Sequence, residues 1–381
     1  MTDSVHPPEQ AAVRGLLRAV GEVLGGPVPR EWQEALKAIP RHRFLPERIW
    51  LADSDGGYEA ADLQTAHDRW FEAAYADVPI VTQVNDGQES VDIWPSSSAS
   101  APSIVVRMLC DLRLRPGARV LEIGTGTGWN AALLSHRLGP ENVVSVEIDS
   151  DIVRQARASL YAAGLDVDVI CGDGADGWTH RAPYDRVVST CSVRRVPWAW
   201  IEQTRPGGTV LTPWDNPMIC WGLLRLTVGR HQAQGRFSPH SAFMLMRTQR
   251  QDLRIFRDVV RDEHVPEKGR TSLAPQQVTG EAWEARFALG LRLGDVWTAW
   301  EEDAARLWAA STDARSWAAV DLDGTVWQYG PRRLWDEVEE AHRWWERQGR
   351  PGPSRFGLTV TEGEQWAWLD APTRPVRREE R

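Results

Sequence analysis

The sequence predicts an α/β fold built on a mainly parallel sheet, because short apolar runs alternate with amphipathic stretches through its middle. An apolar run at residues 120–123 predicts a buried strand, three glycines follow at alternate positions, and residues 130–138 predict a helix. Further strands are predicted at residues 143–148, 167–171, 186–189 and 209–211, with a helix at residues 150–164. Such an alternation places a ligand at the carboxyl ends of the strands.

The glycine turn indicates the kind of ligand. Glycine lets a backbone approach a nucleotide closely, but a dinucleotide fingerprint needs a third glycine where this chain has Trp129. The pattern is instead Glu-x-Gly-x-Gly-x-Gly, which resembles the cofactor loop of S-adenosylmethionine (SAM) methyltransferases. The resemblance implies a Rossmann-like class I SAM-dependent methyltransferase fold and SAM as cofactor; the alternative is a turn that binds no ligand. The cofactor-binding residues expected here are Glu122, Gly124, Thr125, Gly126 and Gly128.

Two acids and a glycine follow the next two predicted strands. Glu147 lies at the end of the strand at residues 143–148, where an acid can bind ribose hydroxyls. Asp173 and Gly174 follow the strand at residues 167–171, where an acid can accept a hydrogen bond from an adenine amino group. The alternatives are a capping or surface role for Glu147 and a turn role for Asp173.

Composition narrows the function classes. The chain has 381 residues, of which 42% are apolar, and a net charge of −9, so we expect a globular protein of two or three domains with no nucleic-acid partner. No apolar run reaches the roughly 18 residues of a membrane span, and the N-terminus lacks the features of a secretory signal. The four cysteines form no CxxC pair; Cys171 and Cys191 are expected to be buried thiols, which favours a cytoplasmic location. No histidine pair has metal-ligand spacing, so no metal is expected.

We expect three regions: an N-terminal helical region at residues 1–80, a methyltransferase domain at residues 81–250, and a C-terminal α+β module at residues 251–381. Before the glycine turn, helices are predicted at residues 11–24, 32–39 and 103–112, and a loop or insertion at residues 51–62. In the module, helices are predicted at residues 281–291, 297–309 and 331–348, hairpins at residues 318–329 and 355–369, and a disordered tail at residues 372–381. Eleven of the 21 tryptophans follow residue 280, where they either fill a core or line a groove that grips an extended peptide.

A series of motifs in one order gives a more specific resemblance. The chain has Pro-Arg-His-Arg-Phe-Leu-Pro at residues 40–46, Ala-Tyr-Ala-Asp-Val-Pro at residues 74–79, Ser-Ala-Ser-Ala-Pro at residues 98–102, Gly-Asp-Gly at residues 172–174 and Pro-Tyr-Asp at residues 183–185. With the glycine turn, this series resembles the protein L-isoaspartate O-methyltransferases. The resemblance covers roughly residues 30–226 and implies carboxyl methylation by SAM. It places Ser98 at the cofactor and Ser100 as the catalytic residue that contacts the reacting carboxyl; the alternative is that Ser100 caps the following helix.

Two features depart from that family. Arg194 and Arg195 stand where the family has an acid, and the chain extends well beyond the compact repair enzymes. We expect one of these arginines to bind an acidic group of the substrate; the alternative is that both are solvated loop residues.

The enlarged layout resembles homologues found beside ribosomally made peptide natural products, which include ATP-grasp-crosslinked peptides, lanthipeptides and lasso peptides. That resemblance implies methylation of an aspartate in a modified precursor peptide, followed by closure to an aspartimide that can hydrolyse to isoaspartate. The alternatives are general isoaspartate repair of damaged proteins and a non-catalytic peptide-binding protein.

Overall fold

The computed structural model describes residues 7–54, 56–90, 93–239 and 241–377, which form two compact units. The first unit contains the chain up to Cys191 together with Ala199–Leu211, and the second contains Ser192–Trp198 together with the chain from Thr212. Residues 212–250 therefore fall in the second unit, whereas the sequence predicts them within the methyltransferase domain at residues 81–250.

The first unit combines a parallel sheet, a smaller antiparallel sheet and helices. The helices are α1 (Pro7–Leu24), α2 (Arg30–Ala38), α3 (His67–Tyr75), α4 (Pro102–Asp111), α5 (Trp129–Leu138), α6 (Ser150–Ala162) and α7 (Trp198–Glu202), which begins at the unit boundary. The strands are β1 (Arg48–Ala52), β2 (Tyr58–Asp62), β3 (Ile80–Val84), β4 (Pro95–Ala99), β5 (Val120–Ile123), β6 (Val143–Glu147), β7 (Asp168–Cys171), β8 (Tyr184–Ser189) and the first half of β9 (Thr204–Asn216).

The parallel sheet has the strand order β9-β8-β5-β6-β7. β5 lies between β6 and β8, so the chain builds the sheet outward on one side of β5 and then on the other. Ligands in open α/β sheets bind at such a reversal of strand order, beyond the carboxyl ends of the strands. The predicted α/β fold with a mainly parallel sheet is confirmed, and the glycine turn follows the strand at which the order reverses.

The prediction of a loop at residues 51–62 is wrong. β1 and β2 pair as an antiparallel hairpin within a four-stranded sheet of order β2-β1-β3-β4. In this hairpin Ile49 and Ala61 are paired and buried, whereas the paired Arg48 and Asp62 form an exposed ion pair at 3.1 Å. The polar residues lie on a face open to water, as is common in antiparallel sheets, so polar composition alone was a poor indicator of a loop.

The second unit contains two antiparallel sheets and two α-helices among its described residues. The helices are α8 (Trp283–Leu293) and α9 (Leu334–Arg347), and the strands are β10 (Ile219–Val228), β11 (Ala233–Pro239), β12 (Glu267–Arg270), β13 (Val296–Glu301), β14 (Arg306–Ser311), β15 (Trp317–Asp321), β16 (Thr325–Tyr329), β17 (Phe356–Val360) and β18 (Gln365–Leu369). One sheet has the neighbours β10-β11-β17-β18 and the other has the order β12-β16-β15-β14-β13. The helices predicted at residues 281–291 and 331–348 and both predicted hairpins are confirmed.

The helix predicted at residues 297–309 is wrong, because this segment forms β13 and β14. Across the neighbouring β14 and β15, Trp308 faces Ala319 and Ala310 faces Trp317, so large and small side chains alternate on one face. Cross-strand packing of this kind stabilises a sheet, while tryptophan and alanine are also acceptable in a helix. Trp308 and Trp317 are buried with Val259 in one cluster, so these tryptophans fill a core.

The tail is ordered over the part that the structure describes, so the prediction of disorder is wrong for residues 372–377. Leu369 N donates to Arg374 O at 3.0 Å and Val376 N donates to Ala367 O at 2.9 Å, which extends the sheet beyond β18. Val376 is buried. Residues 378–381 of the predicted tail lie outside the described residues.

The predicted burial of the Cys171 and Cys191 thiols agrees only in part with the structure. Cys171 is exposed at the end of β7, an edge strand of the parallel sheet, so the prediction of a buried thiol is wrong there. Cys191 is partly buried. None of the helices described by the structure combines the length and apolar character needed to cross a membrane.

Candidate active site

The glycine turn between β5 and α5 adopts a backbone that side chains disfavour. Gly124, Gly126 and Gly128 have φ values of 89°, 52° and 85°, in the region that glycine enters at no steric cost. A Cβ on Gly124 would lie 2.7 Å from Thr190 Oγ1, and one on Gly128 would lie 3.4 Å from the Cβ of Ala156 in α6. Close packing on two sides therefore explains why this turn is built from glycine.

Trp129, which replaces the third glycine of a dinucleotide fingerprint, is the buried first residue of α5. Its Nε1 donates to Ile39 O at 3.0 Å, and the guanidinium of Arg41 lies 5.6 Å from its ring centre. The bulky side chain thus anchors the N-terminal segment of the first unit against the start of the helix that follows the glycine turn.

Glu122 is fully buried within β5 and is not exposed at the mouth of the turn. Its Oε1 accepts a hydrogen bond from Asn130 Nδ2 at 2.6 Å, and its Oε2 accepts one from Ser145 Oγ. Thr125 Oγ1 lies 2.6 Å from the same Ser145 hydroxyl. Burial raises the pKa of Glu122 to about 7, although both hydrogen bonds act to lower it. The carboxyl group therefore links β5, β6, the turn and α5.

Glu147, at the end of β6, contacts the glycine turn directly. Its Oε2 accepts a hydrogen bond from Gly126 N at 3.0 Å, and its Oε1 accepts one from Asp149 N at 3.2 Å. Carboxylate oxygens accept hydrogen bonds from hydroxyl groups as well as from main-chain N–H groups. The structure thus brings the predicted ribose-binding acid to the predicted cofactor loop.

Asp173 and Gly174 follow β7 at the same edge of the sheet, since Cys171 is the register partner of Glu147. Asp173 Oδ1 accepts a hydrogen bond from Ala175 N at 2.8 Å, which is the turn role that the sequence left open. The carbonyl of Gly174 accepts a hydrogen bond from Trp200 Nε1 at 2.7 Å, and both residues are buried. This bond fixes the loop that carries Asp173.

Ser98 and Ser100 approach the turn through β4. The carbonyl oxygen of Ser98 lies 3.7 Å from the position of a Cβ on Gly126, which makes the two segments neighbours. Ser100 lies just beyond the end of β4, where its carbonyl accepts a hydrogen bond from Arg41 Nη2 at 3.0 Å. The structure therefore joins the predicted serine segment and the predicted glycine turn in the same unit.

Arg41 lies in the motif at residues 40–46 and is a positioning residue, a role that the motif by itself did not predict. Its buried guanidinium donates to five main-chain carbonyls in two segments. Nη1 donates to Ala74 (3.3 Å) and Ala76 (3.2 Å), and Nη2 donates to Val78 (3.1 Å), Ala99 (3.0 Å) and Ser100 (3.0 Å). Burial lowers the pKa of Arg41 to about 9, against the opposing effect of the Asp77 carboxylate. The arginine thereby fixes residues 74–78 to the segment that carries Ser100.

Asp77, in the motif at residues 74–79, supplies the cap of α4. Its Oδ1 accepts a hydrogen bond from Ser103 N in the first helical turn at 2.7 Å, which is how a side-chain cap stabilises a helix start. The alternative in which Ser100 caps this helix is therefore wrong.

Arg194 and Arg195 belong to the second unit, whereas every other predicted site residue belongs to the first. Arg194 Nε donates to Asp215 Oδ1 at 2.7 Å, so its charge is compensated within that unit. Arg195 Nη2 donates to the carbonyl of Gly363 at 3.1 Å. The expectation that one of them binds an acidic group therefore rests more on Arg195 than on Arg194.

The residues of the first unit fit SAM. The fit rests on a glycine turn whose three positive φ values disfavour side chains, and on two acids that follow neighbouring parallel strands. An adenosine group needs acceptors for its ribose hydroxyls and its amino group, which Glu147 and Asp173 can supply. No group of three or more potential metal ligands of the His, Cys, Asp and Glu types occurs among the described residues.

Comparisons with known proteins agree with this geometry. The family profile described as Protein-L-isoaspartate(D-aspartate) O-methyltransferase matches residues 28–220, about half of the chain. The protein-L-isoaspartate O-methyltransferase of Ignicoccus hospitalis is 32% identical over 186 residues, which cover 48% of this chain and 73% of the relative. Protein-L-isoaspartate O-methyltransferase 2 of Archaeoglobus fulgidus is 34% identical over 186 residues, which cover 48% of this chain and 70% of the relative.

A solved protein-L-isoaspartate O-methyltransferase structure is similar in fold, with a TM-score of 0.55 and 21% identity over 94% of this chain and 100% of that chain. The family profile covers the glycine turn and the two acids of the first unit. The chain therefore belongs to the protein-L-isoaspartate O-methyltransferase family, whose methyl donor is SAM.

Proposed function

We propose that this family member methylates the side-chain carboxyl of an aspartate in a modified precursor peptide, and that the ester then closes to an aspartimide. The observation that supports the proposal is the second unit, which adds an open groove with Arg194 and Arg195 in its wall to the family's catalytic unit. A specialised peptide substrate would account for a binding surface beyond the residues that hold the cofactor.

In this proposal Glu147 and Asp173 would bind the adenosine part of SAM, and the glycine turn would help to hold the cofactor. When bound, SAM supplies an electrophilic methyl group attached to a sulfonium centre. The substrate carboxylate is ionised at neutral pH, so the protein does not need a general base. Its contribution is to orient the carboxylate and exclude water, with Ser100 holding one carboxylate oxygen while the other faces the methyl group.

Ring closure follows from the chemistry of the ester product. The next backbone nitrogen attacks the ester carbonyl, methanol leaves, and the nitrogen loses its proton. Water can then open the ring to aspartate or isoaspartate. No residue of the chain is required for this second step.

General repair of isoaspartyl residues is a second candidate, and it is equally consistent with the comparisons. The curated relatives are protein-L-isoaspartate O-methyltransferases. The similar solved structure aligns with 94% of this chain, so a chain extended beyond the catalytic unit is not by itself a sign of precursor processing.

The two candidates differ in the substrate that the full-length protein methylates. The experiment supplies SAM with an isoaspartyl peptide, an unmodified aspartyl precursor or a crosslinked precursor, and follows methyl ester and aspartimide by mass spectrometry. Rapid esterification of the crosslinked aspartyl peptide is the expected result. Turnover of the isoaspartyl peptide alone would establish the repair function instead. Calorimetry with SAM tests the non-catalytic alternative, because a protein that does not use SAM is expected to show no SAM binding. That alternative also predicts no methyl transfer to any of the three peptides.

A further inference from the structure

The second unit contains an open groove with a volume of about 1330 Å³ that the catalytic chemistry does not use. Its apolar wall includes Leu291, Leu358 and Trp366, and its polar wall includes Trp214, Asn216 and the side chains of three arginines. A volume of this size exceeds that of most small-molecule pockets, and the groove is open to solvent. Its dimensions therefore suit a segment of extended chain.

The charges in the groove favour an acidic occupant. The arginines are Arg194, Arg195 and Arg377, and the acids are Asp215 and Glu364. Arg194 and Asp215 neutralise one another at 2.7 Å. Among the described residues, the guanidinium of Arg195 donates only to the neutral carbonyl of Gly363, and Arg377 has no acidic partner. Two guanidinium groups thus face one exposed carboxylate, and guanidinium binds carboxylates in a bidentate geometry.

Two buried donors in the groove wall also lack acceptors. Trp214 Nε1 and Asn216 Nδ2 are inaccessible to solvent and have no hydrogen-bond partner among the described residues. Trp214 is 6% exposed and Asn216 is 5% exposed, so water does not readily satisfy either group. Buried N–H groups in native proteins are usually paired, and an unpaired one calls for an explanation such as a ligand.

Two glycines of the α8 region leave space for these polar side chains. A Cβ on Gly290 would overlap the side chain of Asn216, and a Cβ on Gly294 would overlap the guanidinium of Arg377. Gly294 has a φ of 69° and ends α8. The local backbone therefore accommodates the amide and the guanidinium at the groove rather than excluding them.

We propose that this groove binds an extended acidic segment of the peptide substrate. Carboxylates of the segment pair with Arg195 and Arg377, main-chain carbonyls supply acceptors for the Trp214 and Asn216 side chains, and apolar side chains pack on Trp366. The proposal rests on the proposed function in that the occupant is part of the methylated peptide. It assigns substrate selection to charges in the second unit, separate from the chemistry of the reacting carboxylate.

The test measures binding without SAM, so it does not depend on methyl transfer. The probe is a fluorescent peptide of alternating aspartate and leucine, compared with one of alternating asparagine and leucine, on the full-length protein by anisotropy. The acidic peptide is expected to bind at least about tenfold more tightly. The double variant Arg195→Gln with Arg377→Gln is expected to lose that preference, whereas Arg347→Gln, an exposed arginine of α9 outside the groove, is expected to retain it.

Equal affinity for the two peptides, or an unchanged preference in the double variant, would overturn the groove assignment. Both substituted arginines are exposed, so the double variant should unfold at the same temperature as the wild-type protein. The protein could show the expected binding preference and yet methylate only isoaspartyl peptides. That result would reject the precursor role and support the acidic-peptide site. If the protein methylates the precursor but the double variant keeps its preference for the acidic peptide, the precursor role would stand and the groove assignment would be rejected.

Discussion

Ser100 has two plausible roles in a segment that precedes a helix, and two neighbouring residues distinguish them. Asp77 caps α4 through Ser103 N, and Arg41 holds the main chain of Ser100 through its carbonyl oxygen. The serine hydroxyl is thus not needed to start the helix. An orienting role toward the substrate carboxylate remains a prediction.

Replacing Ser100 by alanine tests that role. We expect kcat to fall by tenfold or more, about 1.4 kcal/mol at the transition state, with unchanged SAM affinity and melting temperature. The matched control is Ser97→Ala, three residues earlier and within β4, where kcat should stay near the wild-type value. A Ser100→Ala variant with normal kcat would take this residue out of the active site.

Glu147 connects the glycine turn to the predicted ribose position, so its replacement should weaken SAM binding. Glu147→Ala removes the acceptor of Gly126 N as well as the predicted acceptor of the ribose hydroxyls. We expect SAM affinity measured by calorimetry to weaken by about 1–3 kcal/mol, the usual result of leaving polar groups unpaired. Glu202→Ala, at an exposed position of α7, is the control. Equal SAM affinity in the two variants would contradict the assignment.

At the scale of elements, the site depends on segments that are held together by side chains rather than by strand pairing. Gln83 of β3 donates to Asp149 Oδ2 at 3.0 Å and accepts a hydrogen bond from Ser96 Oγ of β4 at 2.9 Å. Asp149 Oδ1 in turn caps α6. Together with the Arg41 contacts, these bonds position the antiparallel sheet against the ends of the parallel strands.

Arg41→Lys should disturb this arrangement although it conserves the charge. A lysine ammonium has three donors and lacks the planar fork of arginine, so it cannot replace all five carbonyl contacts. We expect the free energy of unfolding to fall by about 2–4 kcal/mol, as for unpaired buried polar groups, and kcat to fall with it. Arg43→Lys, an exposed neighbour, is the control for charge and position. Urea unfolding that is equal for the two variants would show that the five contacts contribute little.

At the scale of the whole molecule, the chain crosses from one unit to the other more than once. Residues 192–198 belong to the second unit, residues 199–211 to the first and the chain from residue 212 to the second. β11 pairs with β17, so a chain ended near residue 250 would lose a sheet partner within the second unit. Point substitutions in the groove are therefore a better test of substrate recognition than removal of residues 251–381.

Glu122 gives the stability of the protein a pH dependence of known sign. Its pKa rises on folding from its ordinary value of 4.5 to about 7, so the folded state binds more protons between these values. Its stabilising contribution is complete below about pH 4.5 and is lost as pH rises through about 7. Over this range we expect the free energy of unfolding of the wild-type protein to fall relative to Glu122→Gln by on the order of 3 kcal/mol.

The measurement is urea unfolding of the SAM-free protein at a series of pH values. Glu302→Gln, at an exposed turn, is the control and should follow the wild-type curve throughout. Parallel curves for the wild-type protein and Glu122→Gln would show that Glu122 does not titrate in this range.

By itself, the sequence determined the parallel sheet, the glycine turn, the positions of Glu147 and Asp173 at strand ends, and the family. These features are local, because they depend on short apolar runs, on glycine at fixed spacing and on motifs of a few residues. The sequence failed where one composition suits two structures, as in the tryptophan- and alanine-rich residues 297–309.

Only the tertiary structure decided how the strands that carry those tryptophans pair. It also decided that Asp77 and not Ser100 caps α4, and that the guanidinium of Arg41 donates to five main-chain carbonyls. It also decided that Arg194 is paired with Asp215, while Arg377 joins Arg195 at the groove from far along the chain. The physical reason is that burial and hydrogen-bond partners come from residues distant in sequence, and the role of a polar side chain depends on which of those partners it meets.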